Sequence, residues 1–337
     1  MVAIGALVLP MCTASIARAA DLQIVAAFNA SDVPVGTINV ALRSSAEITS
    51  VRAEVLGEES RTPLAVVDNF SYHGPGNFSV IWSTDTPVIL PDLGDYRVNI
   101  EATDAAGNHA RLNNAGTLKY HVETFIDSFA ATPASIDYYN RDVVVHGVLK
   151  GRWPGTQEVR PLPGFPVDID TGRTIGQTVL TGSDGTFSKA VTPPVTLLSS
   201  TASYFSDRRF YDHSPQADVR IKATQMATRV TATVPDRATE GDRITLSGTV
   251  EREMANGWEP YASATGLVDV HLCLDGECDF GFGPLDTDAQ GRFTANTFAR
   301  HSGTYEIRVT PNFREPFFAE SQGSSNLITV DPASASS

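Results

Sequence analysis

The sequence predicts an all-β chain built from three tandem two-sheet sandwiches, and three observations carry that reading. Turn formers are plentiful, with Gly 26 and Pro 20 among 337 residues, and short valine- and threonine-rich runs lie between them. The runs alternate apolar and polar residues, the period of a strand with one face buried. The chain also repeats itself at a spacing close to the length of one sandwich domain.

The repeat sets the domain count. Residues 141–149 (RDVVVHGVL) line up with 242–250 (DRITLSGTV) at an offset of 101 residues, and Val167-Asp168-Ile169 meets Val268-Asp269-Val270 at the same offset. Asp184-Gly185-Thr186-Phe187 resembles Gln290-Gly291-Arg292-Phe293, and Trp153 and Trp258 each follow the first matching strand. Ile244, Leu246, Gly248 and Val250 should point inward, with Thr245, Ser247 and Thr249 outward. Tyr305, Ile307 and Val309 alternate with Glu306 and Arg308 in the same way. The first hundred residues of the exported chain do so without matching closely. Ile38, Val40 and Leu42 alternate with Asn39, Ala41 and Arg43, and Tyr96, Val98, Ile100 and Ala102 with Arg97, Asn99, Glu101 and Thr103. The expected domains are 21–123, 124–224 and 225–332, followed by a loose polar tail at 333–337. The junctions lack Gly/Ser runs, which suits semi-rigid connections.

Residues 1–20 read as a secretory signal. An apolar run from Val2 to Met11 precedes Ala17-Arg18-Ala19, a small-x-small cleavage pattern. No basic residue precedes the run, and Leu9-Pro10-Met11-Cys12 resembles a lipoprotein box only loosely, since Met11 stands where a small residue is wanted. The expected location is therefore extracellular, with no membrane span. Acidic residues outnumber basic ones 39 to 25, a net charge of −14 that excludes nucleic acid and anionic membrane as default partners.

Residues 93–98 (LGDYRV) and 103–108 (TDAAGN) look like the closing strands of bacterial immunoglobulin-like modules. The later two domains are similar to the immunoglobulin-like repeats of secreted actinobacterial proteins: a strand ending in Ser/His-Gly-Thr/Val, a Val-Asp-Ile/Val strand, then a turn with Gly-x-Phe. The resemblance implies immunoglobulin-like sandwiches serving as spacers, adhesins or binding domains. None of the three has the inter-sheet cysteine pair of antibody domains, so each core must hold by packing alone.

The local motifs divide into turns and contact candidates. In Leu272-Cys273-Leu274-Asp275-Gly276-Glu277-Cys278 the Asp-Gly pair signals a hairpin tip that sets Cys273 opposite Cys278, suited to a disulfide in an exported chain. Asp286 and Asp288 with Gly291 fit the opening of a calcium loop but lack its bidentate Glu, so a capped turn is the plainer account. Asp104 with Asn108 is a third calcium candidate, because similar modules carry calcium at domain edges; no other cofactor is expected. The histidines are scattered, with no His-Glu-x-x-His, and no nucleophile elbow or phosphate loop is present. No catalytic residue is assigned and no enzyme is expected.

Two loops rich in aromatics and arginine, 204–211 (YFSDRRFY) and 312–318 (NFREPFF), follow the penultimate strand of their domains. Such residues anchor interfaces, which nominates Arg208, Arg209, Phe210, Tyr211, Phe313, Arg314, Phe317 and Phe318 as contacts for an extracellular protein or cell-surface component. The competing account has these aromatics closing the end of each sandwich. A carbohydrate- or cell-wall-binding role is the alternative, with Trp153, Trp258 and Tyr211 stacking on sugars.

Overall fold

The structure, a computed structural model, describes residues 21–333 except 30–33, 77–78, 173–175, 206, 275–276, 279–280 and 312–314; the side chains at 272–274, 277, 278 and 282 also lie outside it. Every regular element described is a strand or an isolated bridge, so the chain is all-β. Among the described residues no helix is long and apolar enough to cross a membrane.

The described residues form two compact units. The first joins the chain up to Phe125 with Leu149–Leu162 and Tyr204–Pro215, and the second holds Ile126–Val148, Pro163–Ser203 and the chain from Gln216 on.

In the first unit eight strands form two antiparallel sheets: β1 (Gln23–Phe28), β2 (Asn39–Arg43), β3 (Ile48–Leu56), β4 (Ala65–Val67), β5 (Phe70–Gly76), β6 (Ser79–Thr84), β7 (Gly94–Asp104) and β8 (His109–Tyr120). Their orders are β1-β2-β6-β5 and β4-β3-β7-β8. The alternation in β7 behaves as expected: Tyr96, Val98, Ile100 and Ala102 are buried, and the residues between them are half-buried. Each large apolar side chain removed from water contributes about 1.5–3 kcal/mol, so this inner face, packed on Val40, Leu42, Val51 and Val55, is the main source of cohesion. On β2 the alternation fails. Asn39 and Ala41 are buried along with their neighbours, and Ser83, opposite Asn39, donates its hydroxyl to the amide oxygen. On the outer face of β3, β7 and β8, Arg52 and Arg111 each bridge Glu54 and Glu101, closing a ring of alternating charge.

The two sheets shut where β1 meets β8. Gly116 lies so close to the backbone of Ala27 that a Cβ there would overlap the Ala27 carbonyl oxygen. The second unit repeats the device: a Cβ at Gly323 would stand 2.7 Å from the carbonyl oxygen of Val230.

The second unit also explains the sequence repeat. Val143–Val148 pairs antiparallel with residues 186–191, placing Gly147 opposite Phe187. Strand Arg243–Met254 pairs with Arg292–Phe298, placing Gly248 opposite Phe293. Each buried ring lies over the facing glycine, so a Cβ at either position would strike it. The Ser/His-Gly strand and the Gly-x-Phe turn are therefore two halves of one packing motif. The turns match too: Gly185 and Gly291 have φ of 76° and 70°, as expected for left-handed glycine turns. Parallel pairings, Ser135–Ile136 with Lys222–Ala223 and Arg237–Thr239 with Thr329–Asp331, recur beside them.

Overpacking a tight site costs about 1–3 kcal/mol, with more expected where backbone is struck. Gly116→Ala should lower unfolding stability by about 3 kcal/mol, whereas Gly74→Ala, with open space around its Cβ, should change it by less than about 0.5 kcal/mol. Equal midpoints for the two variants in a denaturant titration would contradict the closure.

Candidate functional site

The loop that follows strand Ser199–Ser203 is built on a fixed base. Tyr204 is buried, its backbone N–H donates to Ser214 Oγ (2.8 Å), and Ser214 N–H donates back to the Tyr204 carbonyl (3.0 Å). Beyond that pinch the chain turns outward. Phe205 is 61% exposed. Arg208 and Arg209 are exposed, and the Arg209 guanidinium sits 4.5 Å from the Phe210 ring centre. Phe210 has φ of 67°, a left-handed conformation that costs a bulky residue of order 1–3 kcal/mol. A backbone clamp holds it there. Val122 N–H donates to the Phe210 carbonyl (2.9 Å), Asp212 N–H donates to the Val122 carbonyl (3.0 Å), and Thr124 Oγ1 donates to the Asp212 carbonyl (2.7 Å). Tyr211 is half-buried with its ring edge-on to Trp153.

The second loop repeats the clamp bond for bond. Met226 N–H donates to Phe317 O, Ala319 N–H donates to Met226 O, and Thr228 Oγ1 donates to Ala319 O, each at 2.8 Å. The side chains meet a different fate. Phe317 and Phe318 are 1% and 3% exposed. They pack against Tyr138, and Phe318 also packs on Tyr261. The Arg252 guanidinium lies 5.2 Å and 5.1 Å from the Tyr261 and Phe318 ring centres. Burial, reinforced by a hydrogen bond to Glu315 (2.7 Å), pushes the Tyr261 hydroxyl well above the usual tyrosine range. Phe317 and Phe318 are thus core residues, and their nomination as contacts is corrected: rings buried against Tyr138 and Tyr261 offer no area to a partner. Phe313 and Arg314 lie outside the described residues.

Both tryptophans nominated for sugar stacking are covered by arginine. Trp153 is half-buried, with the Arg160 guanidinium 4.9 Å from its ring centre. Trp258 is 38% exposed on the edge strand Gly257–Pro260, with Arg229 at 4.3 Å and held by Glu251. A sugar stacking on either ring would have to take the other face.

The acidic candidates are occupied by protein donors. Asp104 is 2% exposed, and its two oxygens accept bonds from Ser44 Oγ, Ala106 N–H, Asn108 N–H and Asn108 Nδ2. The Asn108 side chain above all, with Ser44 and the two backbone N–H groups, holds this carboxyl below the usual carboxylate range against an opposing burial effect. Asp286 accepts from Gly266 N–H, and Asp288 accepts from the N–H groups of Gln290 and Arg292. These are self-capped turns. Among the described residues no group of three or more His, Cys, Asp or Glu is placed to hold a metal ion. Backbone pairing sets Cys273 opposite Cys278, in the register expected for the hairpin; the tip at Asp275 and Gly276, and the side chains of both cysteines, lie outside the described residues.

No family model matches the sequence, and no curated protein matches it. Solved structures do. A tetra-tandem repeat in the extending region of a large adhesion protein is 16% identical, with 88% of this chain and 70% of that one covered at a TM-score of 0.35. The fibronectin(III)-like modules of Clostridium thermocellum CbhA are 11% identical, with 94% and 97% covered at 0.21. Trypsin-activated alpha-2-macroglobulin from Escherichia coli is 11% identical, with 94% and 24% covered at 0.23. At these scores the similarity assigns no role to this chain.

One cluster had no signal in the sequence. His121 lies between Asp95 (Nε2, 2.9 Å) and Asp212 (Nδ1, 3.1 Å) and against the Phe210 ring. Its partners are 26 and 91 residues away along the chain, so no local pattern marks it.

Because its folded-state pKa is lowered, Asp104 lends stability that is complete above the ordinary aspartate range and is lost as pH falls through the folded value. Asp104→Asn should therefore be less stable than wild type at neutral pH and should lose less stability on acidification below about pH 4. Parallel pH–stability curves would contradict this role.

Proposed function

We propose that this chain is an exported, non-enzymatic protein of three immunoglobulin-like sandwiches (21–123, 124–224 and 225–332) that binds an extracellular protein or cell-surface component, acting as an adhesin or a spacer. The observation that carries the reading is the exposed cluster of Phe205, Arg208 and Arg209 on a pinned loop. An aromatic ring and two guanidiniums are held outward on a base that has already lost its backbone freedom, so binding orders little further. Phe210 and Tyr211 serve as the platform beneath them. The Cys273–Cys278 hairpin closes by a disulfide after export, and the acidic turns work without metal.

A glycan ligand is the second reading, and the exposure of Trp258 on its edge strand favours it. The Arg229 cover weighs against it.

Replacing Phe205, Arg208 and Arg209 together by serine tests the proposal. The variant should unfold at the wild-type midpoint and lose about tenfold or more in affinity for any partner captured from the cell surface, the loss of one to two anchor residues. Full retention of binding by a folded variant would remove this loop from the site. Binding on a glycan array that is lost in Trp258→Ala would move the function to the alternative.

A further inference from the structure

We propose that His121 is a proton-dependent latch tying the loop that bears Arg208 and Arg209 to strand β7. The latch acts whatever that loop binds. Its ground is that both ring nitrogens meet a carboxylate at hydrogen-bond distance at once: Nε2 to Asp95 Oδ1 at 2.9 Å and Nδ1 to Asp212 Oδ1 at 3.1 Å. A neutral imidazole has one N–H and one acceptor lone pair, and an ionised carboxylate only accepts. The neutral ring can satisfy one aspartate and must set its lone pair against the other. The imidazolium donates to both and places a positive charge between two negative ones. A carboxylate at each ring nitrogen favours the protonated ring.

The charged groups around the ring come from each element packed there. Strand β7 contributes Asp95, whose cross-strand neighbour on β8 is Lys119. The loop contributes Asp212, and Arg209 lies over the Phe210 ring that contacts the imidazole at 5.4 Å. The strand that follows His121 contributes Glu123, which is engaged by Arg152 at 2.6 Å. The imidazole side chain is 14% exposed, and those of Asp95 and Asp212 are 52% and 51% exposed, so the ring is covered while its two carboxylates face solvent.

The latch has a mechanical output. His121 precedes Val122, which donates to Phe210 and accepts from Asp212. Losing the proton leaves the ring able to donate to only one of Asp95 and Asp212, which breaks the side-chain bridge between β7 and the loop that holds Phe210 at positive φ. Deprotonating the ring should loosen 208–212, and protonating it should tighten them.

Nitrogen-15 NMR of the full chain between about pH 5 and about pH 8.5 reads both ends of the device. At the acid end both His121 ring nitrogens should carry protons. The amide signals of Val122 and Asp212 should then move with the midpoint of the ring. Above that midpoint the Asp212 amide should exchange with solvent roughly threefold faster or more, after correction for its intrinsic rate. In His121→Gln both amides should cease to titrate. If that variant does not give a folded spectrum, Asp212→Asn, which keeps the imidazole, should abolish the Val122 titration instead. A ring that titrates while both amides stay still, or amides that titrate equally in the variants, would overturn the latch.

Discussion

Two sheets keep a dry interior only where their edges close, and here the closing contacts are made by backbone against glycine. Gly116 on β8 faces the carbonyl of Ala27 on β1, and Gly323 faces that of Val230. Side chains cannot fill these seams, because the strands approach to within the space a Cβ would occupy. The same economy operates inside the second unit, where Gly147 and Gly248 give up their side chains so that Phe187 and Phe293 can cross above them. Shape at a few glycines, rather than a covalent inter-sheet tie, sets how these cores fit together.

The duplicated clamp shows how one backbone device supports two outcomes. Val122 with Phe210 and Asp212, and Met226 with Phe317 and Ala319, make the same three bonds with the same threonine two positions later. In the second copy Tyr138, Tyr261 and Arg252 cover the aromatic pair, and the loop end becomes core. In the first, Phe210 meets His121 and the arginines remain outside. The clamp is architecture; what the neighbouring strands place beside it decides whether the loop can also bind.

Much of this was legible in the residues, and the reasons differ by feature. Alternation in 244–250 and 305–309 depends on the two-residue period of a strand, a local property, so those inner faces were read directly. Repeat matching found Gly147, Gly248, Phe187 and Phe293 without revealing that they pack together, since pairing is non-local. Gly116 carries a local signal, since a glycine interrupting a strand marks a close approach. Asn39 misled, because a buried polar residue looks outward-facing until its partner Ser83 is known. The burial of Phe317 and Phe318 depends on Tyr138, far earlier in the chain, and the His121 bridge depends on three separate segments. No spacing rule reaches either.

Hydrogen exchange across the whole chain, read by mass spectrometry, tests the closure most directly. The slowest-exchanging peptides should be those covering β1 and β8 around Ala27 and Gly116, with the paired strands that carry Gly147 with Phe187 and Gly248 with Phe293. The tip from Phe205 to Arg209 should exchange at least tenfold faster, on the order of a 1.4 kcal/mol difference in local opening. Exchange at β1 and β8 as fast as at that tip would show that the glycine seams do not hold the sheets together.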